Sequence, residues 1–396
     1  YNGYKVYWEE GSQILDDIAD KILKKIGDIE LFDPEGIPSF DEGIEKGFIK
    51  ILGEEMDSMY LEEVKGLALN EEGIDKSVSA VYTPLNGTGA TLVPRILKER
   101  GFENIVCVDE QMEPDGHFPT TPYPNPEDTS TFEIALRYAR EHDSELAVAT
   151  DPDADRIAIM VRSGDDEYTA MNGNQTGALL LQYILSQRDA KGMYSDKDAM
   201  VTTIVTGDLG KAIARKYGLK VYETLTGFKH VCGKANEFDI SGEARYVFGY
   251  EESIGYCPET FVRDKDAVST AMILFEMAAY YKSRGKTLLQ VLNEIYEEYG
   301  HYRESQFSIV YKGVDGAELK EKVIEGWRDG FPATVAGERL TEFTDYLASE
   351  HILIETGEKS AVDIPKSDVM KFKFDGGTWY AVRPSGTEPK LKFYIY

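Results

Sequence analysis

The chain has 396 residues, 42% hydrophobic and 29% charged, with a formal net charge of -28. That length exceeds one ordinary hydrophobic core and predicts two to four domains. The charge argues against nonspecific binding of nucleic acid or anionic lipid, both of which need a positive surface, and no apolar run approaches the roughly 18 residues of a membrane span.

Tyr1 to Trp8 starts with a turn signal and passes into a β-rich run, and Gly11 to Lys25 carries apolar residues at helical spacing. From Ile26 to about Leu69 the sequence is acidic and weakly periodic, and reads as helices and connections. The chain is thus expected to enter a first α/β domain partway through, over residues 1–72. It opens at Tyr1 rather than Met and shows no signal peptide, so its natural start is expected to be missing.

Strand and helix alternate after a boundary placed near Asn70 to Asp75. Ser77–Tyr82, Asn104–Val108 and Leu146–Thr150 read as strands, with helices over Ala90–Arg100 and Ser130–His142. The intervening Asn86-Gly87-Thr88-Gly89 is either a phosphate cradle or a tight turn, and His117 is a catalytic base or a loop histidine. The last of these strands delivers Asp151-Pro152-Asp153-Ala154-Asp155-Arg156. Three carboxylates on alternate positions repel one another unless a hard cation neutralises them, and oxygen ligands suit Mg²⁺. A calcium EF-hand is excluded, because its sixth and twelfth positions, Gly and Glu, are here Arg156 and Arg162. This second unit is expected over 73–170.

A third unit over 171–299 begins with a strand at Ile157–Val161 behind it and a helix capped by Asn172. Strands at Met200–Val205 and Leu219–Glu223 flank a helix at Gly207–Tyr217 and lead to Thr226-Gly227-Phe228-Lys229. There Gly227 frees the backbone, and Lys229 is a phosphate or sugar contact or a solvated lysine. Glu251-Glu252-Ser253, flanked by Gly249 and Gly255, offers the donors and acceptors that a polyol needs in fixed directions; the plainer alternative is a turn with Ser253 capping a helix. Arg263-Asp264-Lys265-Asp266 supplies anion contacts or only caps and ion pairs before a helix at Ala267–Ser283.

The last unit, 300–396, reads strand, helix, helix, strand, with a first strand over Arg303–Tyr311. It ends in Arg383-Pro384-Ser385-Gly386-Thr387-Glu388-Pro389, where a guanidinium fork, two hydroxyls and a glycine that admits backbone N–H groups make a phosphate loop. Cys107, Cys232 and Cys257 are few, odd in number and widely spaced, which gives neither a disulfide framework nor a zinc pattern and fits a reducing cytoplasm.

In this order, DPDADR, TGFK, YEESIGY and RPSGTEPK resemble the α-D-phosphohexomutase superfamily, most of all its bacterial phosphoglucomutases of the long type, and the likeness covers essentially the whole chain. The resemblance implies four domains around a central cleft, three α/β units with mixed sheets and a smaller C-terminal α+β unit. It implies Mg²⁺ on Asp151, Asp153 and Asp155, with Arg156 supporting the phosphoryl group and Lys5 matching a lysine proposed for proton transfer. Glu251 and Ser253 would hold sugar hydroxyls, and Arg383, Ser385, Gly386 and Thr387 the phosphate that is not reacting. The activity implied is interconversion of glucose 1-phosphate and glucose 6-phosphate through a phosphoserine, with glucose 1,6-bisphosphate as activator, by a monomer or weak homodimer. Ile254-Gly255-Tyr256, where mannose-specific relatives carry a histidine, favours glucose. The family's phosphoserine loop lies upstream of the segment that opens this chain, so the chain as given is expected to bind its phosphosugar without interconverting it. Phosphopentomutase and phosphomannomutase are the alternatives within the family; a Mg²⁺-dependent sugar phosphatase and a noncatalytic sugar-phosphate-binding protein are those outside it.

Overall fold

A computed structural model describes residues 4–30, 36–311, 315–385 and 389–396. Among these residues no helix is long and apolar enough to cross a membrane. The fold is mixed α/β and built on three sheets.

The first segment holds three helices, α1 (Asp16–Ile26), α2 (Phe40–Glu45) and α3 (Glu54–Gly66), and no strand among the described residues. The β-rich run expected up to Trp8 is reduced to an isolated bridge between Tyr7 and Gln13. Among the described residues it meets only the short return of Ser12 to Ile14, with Ile14 N–H donating to the Val6 carbonyl at 2.9 Å and Trp8 N–H to the Ser12 carbonyl at 3.0 Å, too little pairing to make a strand. Helix α1 is amphipathic yet buries no residue, and Leu23, Ile26, Ile37, Phe40, Phe48 and Ile51 are all exposed.

The first sheet follows from β1 (Ala80–Thr83), α4 (Gly89–Glu99), β2 (Ile105–Cys107), the short α5 (Asp109–Met112), α6 (Glu133–Glu141), β3 (Leu146–Thr150), β4 (Ile157–Arg162) and β5 (Tyr168–Met171). Its order is β2-β1-β3-β4-β5, parallel across β2, β1 and β3 and antiparallel beyond. Every residue of β1 and β3 is buried, as a strand covered on both faces requires.

The second sheet is laid down by α7 (Gly173–Ala190), β6 (Asp198–Thr203), α8 (Asp208–Lys216), β7 (Lys220–Thr224), α9 (Phe228–Ser241), β8 (Arg245–Glu251) and β9 (Gly255–Cys257). Its order is β7-β6-β8-β9, with only β9 antiparallel. As expected, Asn172 caps α7, and its side chain and that of Gln175 each accept the other's backbone N–H. Helix α10 (Ala267–Lys282) is apolar almost all round and runs through the core shared by the first two sheets, and α11 (Leu288–Tyr299) covers it. The fully buried Glu276 of α10 pairs with Arg100 at 3.0 Å and accepts the Leu69 and Asn70 amides at 2.9 Å. This anchors the connection between the first segment and the first sheet.

The C-terminal unit departs from the expected strand, helix, helix, strand. It has β10 (Ser305–Val310), one helix α12 (Gly316–Asp329), and then β11 (Thr334–Val335), β12 (Glu338–Asp345), β13 (Glu350–Leu353), β14 (Lys359–Ala361), β15 (Met370–Phe374), β16 (Trp379–Pro384) and β17 (Lys390–Ile395). All pair antiparallel. The region expected to form a second helix is instead hairpins. Ala336 and Gly337, at φ 51° and 91°, make the two-residue turn between β11 and β12 that a tight hairpin needs. These strands are polar on their solvent face and bury Leu340, Phe343, Phe372 and Tyr380 beneath α12, so neither half of the pattern looks continuously apolar.

Candidate active site

Strand β3 ends at Thr150, and the acidic loop begins at its C-terminal edge. Asp151 is buried, and one of its oxygens accepts the backbone N–H groups of Asp155 at 3.1 Å and Arg156 at 2.9 Å. Ala154, at φ 55°, turns the loop through the left-handed region. One carboxylate oxygen from each of Asp151, Asp153 and Asp155 comes within 4.8 Å of the others. The Asn86–Gly89 loop seats this turn: the Thr88 N–H donates to the Pro152 carbonyl at 2.8 Å, and a Cβ on Gly87 would lie 2.4 Å from Pro152 Cα. Of the two readings of that loop, the tight turn is the one for which the structure supplies a physical reason.

Three cations surround the carboxylates. Lys5 donates to Asp153 at 2.8 Å and also to Asp155, Lys265 reaches Asp155 at 3.0 Å, and Arg156 Nε lies 3.5 Å from Asp151 and 3.6 Å from Asp155. Burial, reinforced by the charges of Asp155 and Asp153, pushes the Asp151 carboxyl up. Burial would raise Asp155 too, but Lys265 and Lys5 outweigh it and hold that carboxyl below its ordinary value. For Lys5, burial is outweighed by its hydrogen bonds to Asp153 and Asp155, and the ammonium is held above its usual range. The buried Asp155 Oδ1 accepts no hydrogen bond among the described residues. A buried carboxylate oxygen left over in a cluster of three hard donors fits a divalent cation of the Mg²⁺ type.

The β8–β9 hairpin lies against this loop. Ile157 N–H donates to the Ile254 carbonyl at 3.2 Å, and Arg156 forms a β-bridge with Gly255. Ile254, at φ 57°, makes the turn, so Ser253 sits in a hairpin and caps no helix. A Cβ on Gly255 would fall 2.2 Å from Lys265 Cδ, so the glycine lets that lysine cross to Asp155. Glu251, buried, accepts the Gly227 N–H at 2.7 Å; burial pushes its carboxyl up, against the pull of Lys265. Gly227, at φ 113°, starts α9, and Lys229 in its first turn pairs with Asp16 at 2.6 Å.

Arg156, Gly227, Lys229, Glu251, Ser253 and Lys265 line one cleft of about 430 Å³. Lys392 lines it from the C-terminal sheet, in register opposite Arg383. Arg383 itself stands beside the Tyr394 hydroxyl. Ser385 lies near it, its N–H donating to Lys390 at 2.8 Å and its carbonyl accepting from Lys320 at 3.2 Å. Neither residue is among those lining the cleft. Gly386 and Thr387 lie outside the described residues. Arg263 points elsewhere, to Asn236 at 2.6 Å and to Asp239, in keeping with the ion-pair alternative. His117 is exposed, away from the cleft.

Gln13, Asn125, Glu127 and Phe228 also line the cleft and were not singled out by sequence. For Asn125 and Glu127 a signal exists: Pro124 and Pro126, both buried, bracket Asn125, whose side chain accepts the Glu127 N–H at 3.1 Å. Phe228 stands inside the TGFK motif, between Gly227 and Lys229, whereas Gln13 reaches the cleft only through tertiary packing.

Residues 58–164 match the family description "Phosphoglucomutase/phosphomannomutase, alpha/beta/alpha domain II", residues 172–299 its domain III, and residues 335–395 its C-terminal domain. The whole chain aligns with a phosphoglucomutase of Staphylococcus haemolyticus (strain JCSC1435), 33% identical over 395 residues and 70% of that protein's length. By structure it is similar to a Thermus thermophilus protein assigned as a phosphomannomutase, with a TM-score of 0.59 at 20% identity, over 86% of this chain and 62% of that one. It is also similar in fold to the Paramecium phosphoglucomutase pp63/parafusin, with a TM-score of 0.57 at 16% identity, over 85% of this chain and 56% of that one. The chain therefore spans less than two thirds of the length of these solved structures. The chain belongs to the phosphoglucomutase/phosphomannomutase family of the α-D-phosphohexomutase superfamily, a family of mutases.

Proposed function

We propose that this chain binds a hexose phosphate and Mg²⁺ in the cleft beside the acidic loop, and serves the interconversion of glucose 1-phosphate and glucose 6-phosphate through glucose 1,6-bisphosphate. The observation that carries this reading is the joining of the acidic loop to the Glu251–Ser253 hairpin. The Arg156–Gly255 bridge and the Lys265–Asp155 pair tie the acidic triad to a cleft lined by Arg156, Lys265, Glu251 and Ser253, which supports this reading.

Asp151, Asp153 and Asp155 would hold Mg²⁺, which when bound neutralises charge on the phosphoryl group in flight. Arg156 and Lys265 flank that position as fixed cations. Lys5, held as an ammonium by Asp153 and Asp155, would give a proton to a departing sugar oxygen once those carboxylates turn to Mg²⁺. Glu251 and Ser253 direct sugar hydroxyls, with Glu127 and Asn125 across the cleft as further partners. Lys229 and Lys392, with Arg383 and Ser385 behind them, form the pole for the phosphate that is not reacting. Phosphate-ester cleavage is so slow without a catalyst that positioning and charge neutralisation must supply on the order of 20 kcal/mol, and a cleft with a cation at each pole is a means of doing so.

The domain limits 1–72, 73–170, 171–299 and 300–396 belong to the same proposal, as does a cytoplasmic setting, which the three free thiols favour. The test is titration of glucose 1-phosphate into the parent and Glu251→Ala in the presence of Mg²⁺. Loss of a buried charged acceptor predicts binding weaker by about tenfold or more. Equal affinity would remove Glu251, and with it the hairpin, from the site.

A further inference from the structure

A second polar cavity, of about 530 Å³, lies between α8 and β7 of the second sheet and β12, β15 and β16 of the C-terminal sheet. Its carboxylates are already engaged. Asp208 accepts from Trp379 Nε1 at 2.7 Å and pairs with the buried Lys211 at 3.1 Å. Lys211 also holds Glu223 at 2.5 Å, and Glu342 pairs with Lys373 at 2.9 Å.

Donors remain once these pairs are made. Arg215 has no carboxylate partner and no side-chain hydrogen bond among the described residues. Lys371 has no carboxylate within ion-pair distance among them; it donates to the Ile204 carbonyl at 2.9 Å and lies 3.8 Å over the Trp379 ring, which fixes its direction. The hydroxyls of Tyr302 and of the buried Tyr346 make no hydrogen bond among the described residues. In a chain with 71 acidic and 43 basic residues, two cations and two hydroxyls facing one cavity without an anionic partner form a donor set for an anion.

We propose that this cavity is a second anion site, distinct from the catalytic cleft, and that it takes a phosphate dianion, free or as a monoester, between Arg215 and Lys371. Burial, followed by the nearby charge of Lys211, pulls the Lys371 ammonium down to about 8 against the opposing charges of Glu223 and Asp208. The bound anion would bridge α8 to β15. It would thereby tie the sheet whose β7 leads to Gly227 and Lys229 to the sheet whose β16 carries Arg383, joining the two parts that make up the pole for the nonreacting phosphate.

Arg215 is exposed on α8, so its truncation leaves the core intact. The experiment titrates inorganic phosphate, and separately glucose 6-phosphate, into the parent, Arg215→Ala, Arg215→Lys and Arg383→Ala by calorimetry. Arg215→Ala is expected to weaken one phosphate equivalent by about tenfold or more, as loss of a charge-assisted contact does. Arg215→Lys should recover most of that loss, and Arg383→Ala should leave this equivalent in place. A loss with both probes identifies the phosphate group alone as the ligand, and a loss with glucose 6-phosphate only identifies a sugar monoester. Identical stoichiometry and affinity of the parent and Arg215→Ala for both probes would overturn the site.

Discussion

The ammonium of Lys265 stands 3.0 Å from Asp155 Oδ2, although the two residues lie in loops that follow strands of different sheets, β9 and β3. Its side chain crosses over Gly255, where no Cβ could fit, and is nearly buried by that passage. A buried cation with two carboxylates in reach, Asp155 and Asp264 at 3.2 Å, is fixed in place by both. The acidic loop and the β8–β9 hairpin are thus one electrostatic unit, and changes in one are expected to be felt in the other.

Gly87 is needed for that unit to be seated. An added methyl at Gly87 would lie 2.4 Å from Pro152 Cα and 2.6 Å from its carbonyl oxygen, and backbone cannot move aside as a flexible side chain can. Gly87→Ala should lower stability by roughly 1–3 kcal/mol and weaken Mg²⁺ binding, because the acidic loop must shift. Denaturant unfolding together with a Mg²⁺ titration checks both effects, and an unchanged midpoint and affinity would contradict the packing described.

Arg383 faces a different test. If it holds the nonreacting phosphate, Arg383→Ala removes a charge-assisted contact worth roughly 2–3 kcal/mol, about 30- to 150-fold in affinity. Glucose 1-phosphate should bind correspondingly less tightly while Mg²⁺ binding stays as in the parent. A parallel fall in Mg²⁺ affinity would mean that the substitution acts through the fold.

Glu304 supplies a pH dependence. Burial raises its carboxyl to about 7 from 4.5, and its buried Oε2 accepts no hydrogen bond among the described residues. The folded form therefore binds the proton more tightly than the unfolded chain. This contribution is fully present below about pH 4.5 and is lost as pH rises through about 7. Glu304→Gln keeps the shape without the charge. It should stabilise the protein by roughly 1–3 kcal/mol at pH 8 and by much less at pH 5. Melting temperatures at the two pH values decide the matter, and an equal shift at both would contradict it.

Much of the site's chemistry was legible because it is carried by short contiguous stretches. The strand Leu146–Thr150, the carboxylates after it and the Asn172 cap stand where local pattern places them. The hairpins of the C-terminal unit were not legible, because strands such as β12 bury only Leu340, Phe343 and Asp345 and dilute the alternation with polar residues. Gln13 was missed for another reason: its place at the cleft depends on how distant elements pack, which no local period records. Of the two readings open for Arg263, the structure shows the ion-pair one, in its contacts to Asn236 and Asp239 of α9.

The central claim is that the acidic loop and the sugar-facing hairpin form one site for Mg²⁺ and a phosphosugar. Calorimetric titration of glucose 1-phosphate with and without Mg²⁺, in the parent and in Asp153→Asn, tests it most directly. Two ligands sharing one site must couple, so the account predicts that Mg²⁺ tightens glucose 1-phosphate binding by about fivefold or more in the parent. In Asp153→Asn, which removes one ligand charge, that gain should largely vanish. The same affinity with and without Mg²⁺ in the parent, or an equal gain in both proteins, would contradict it.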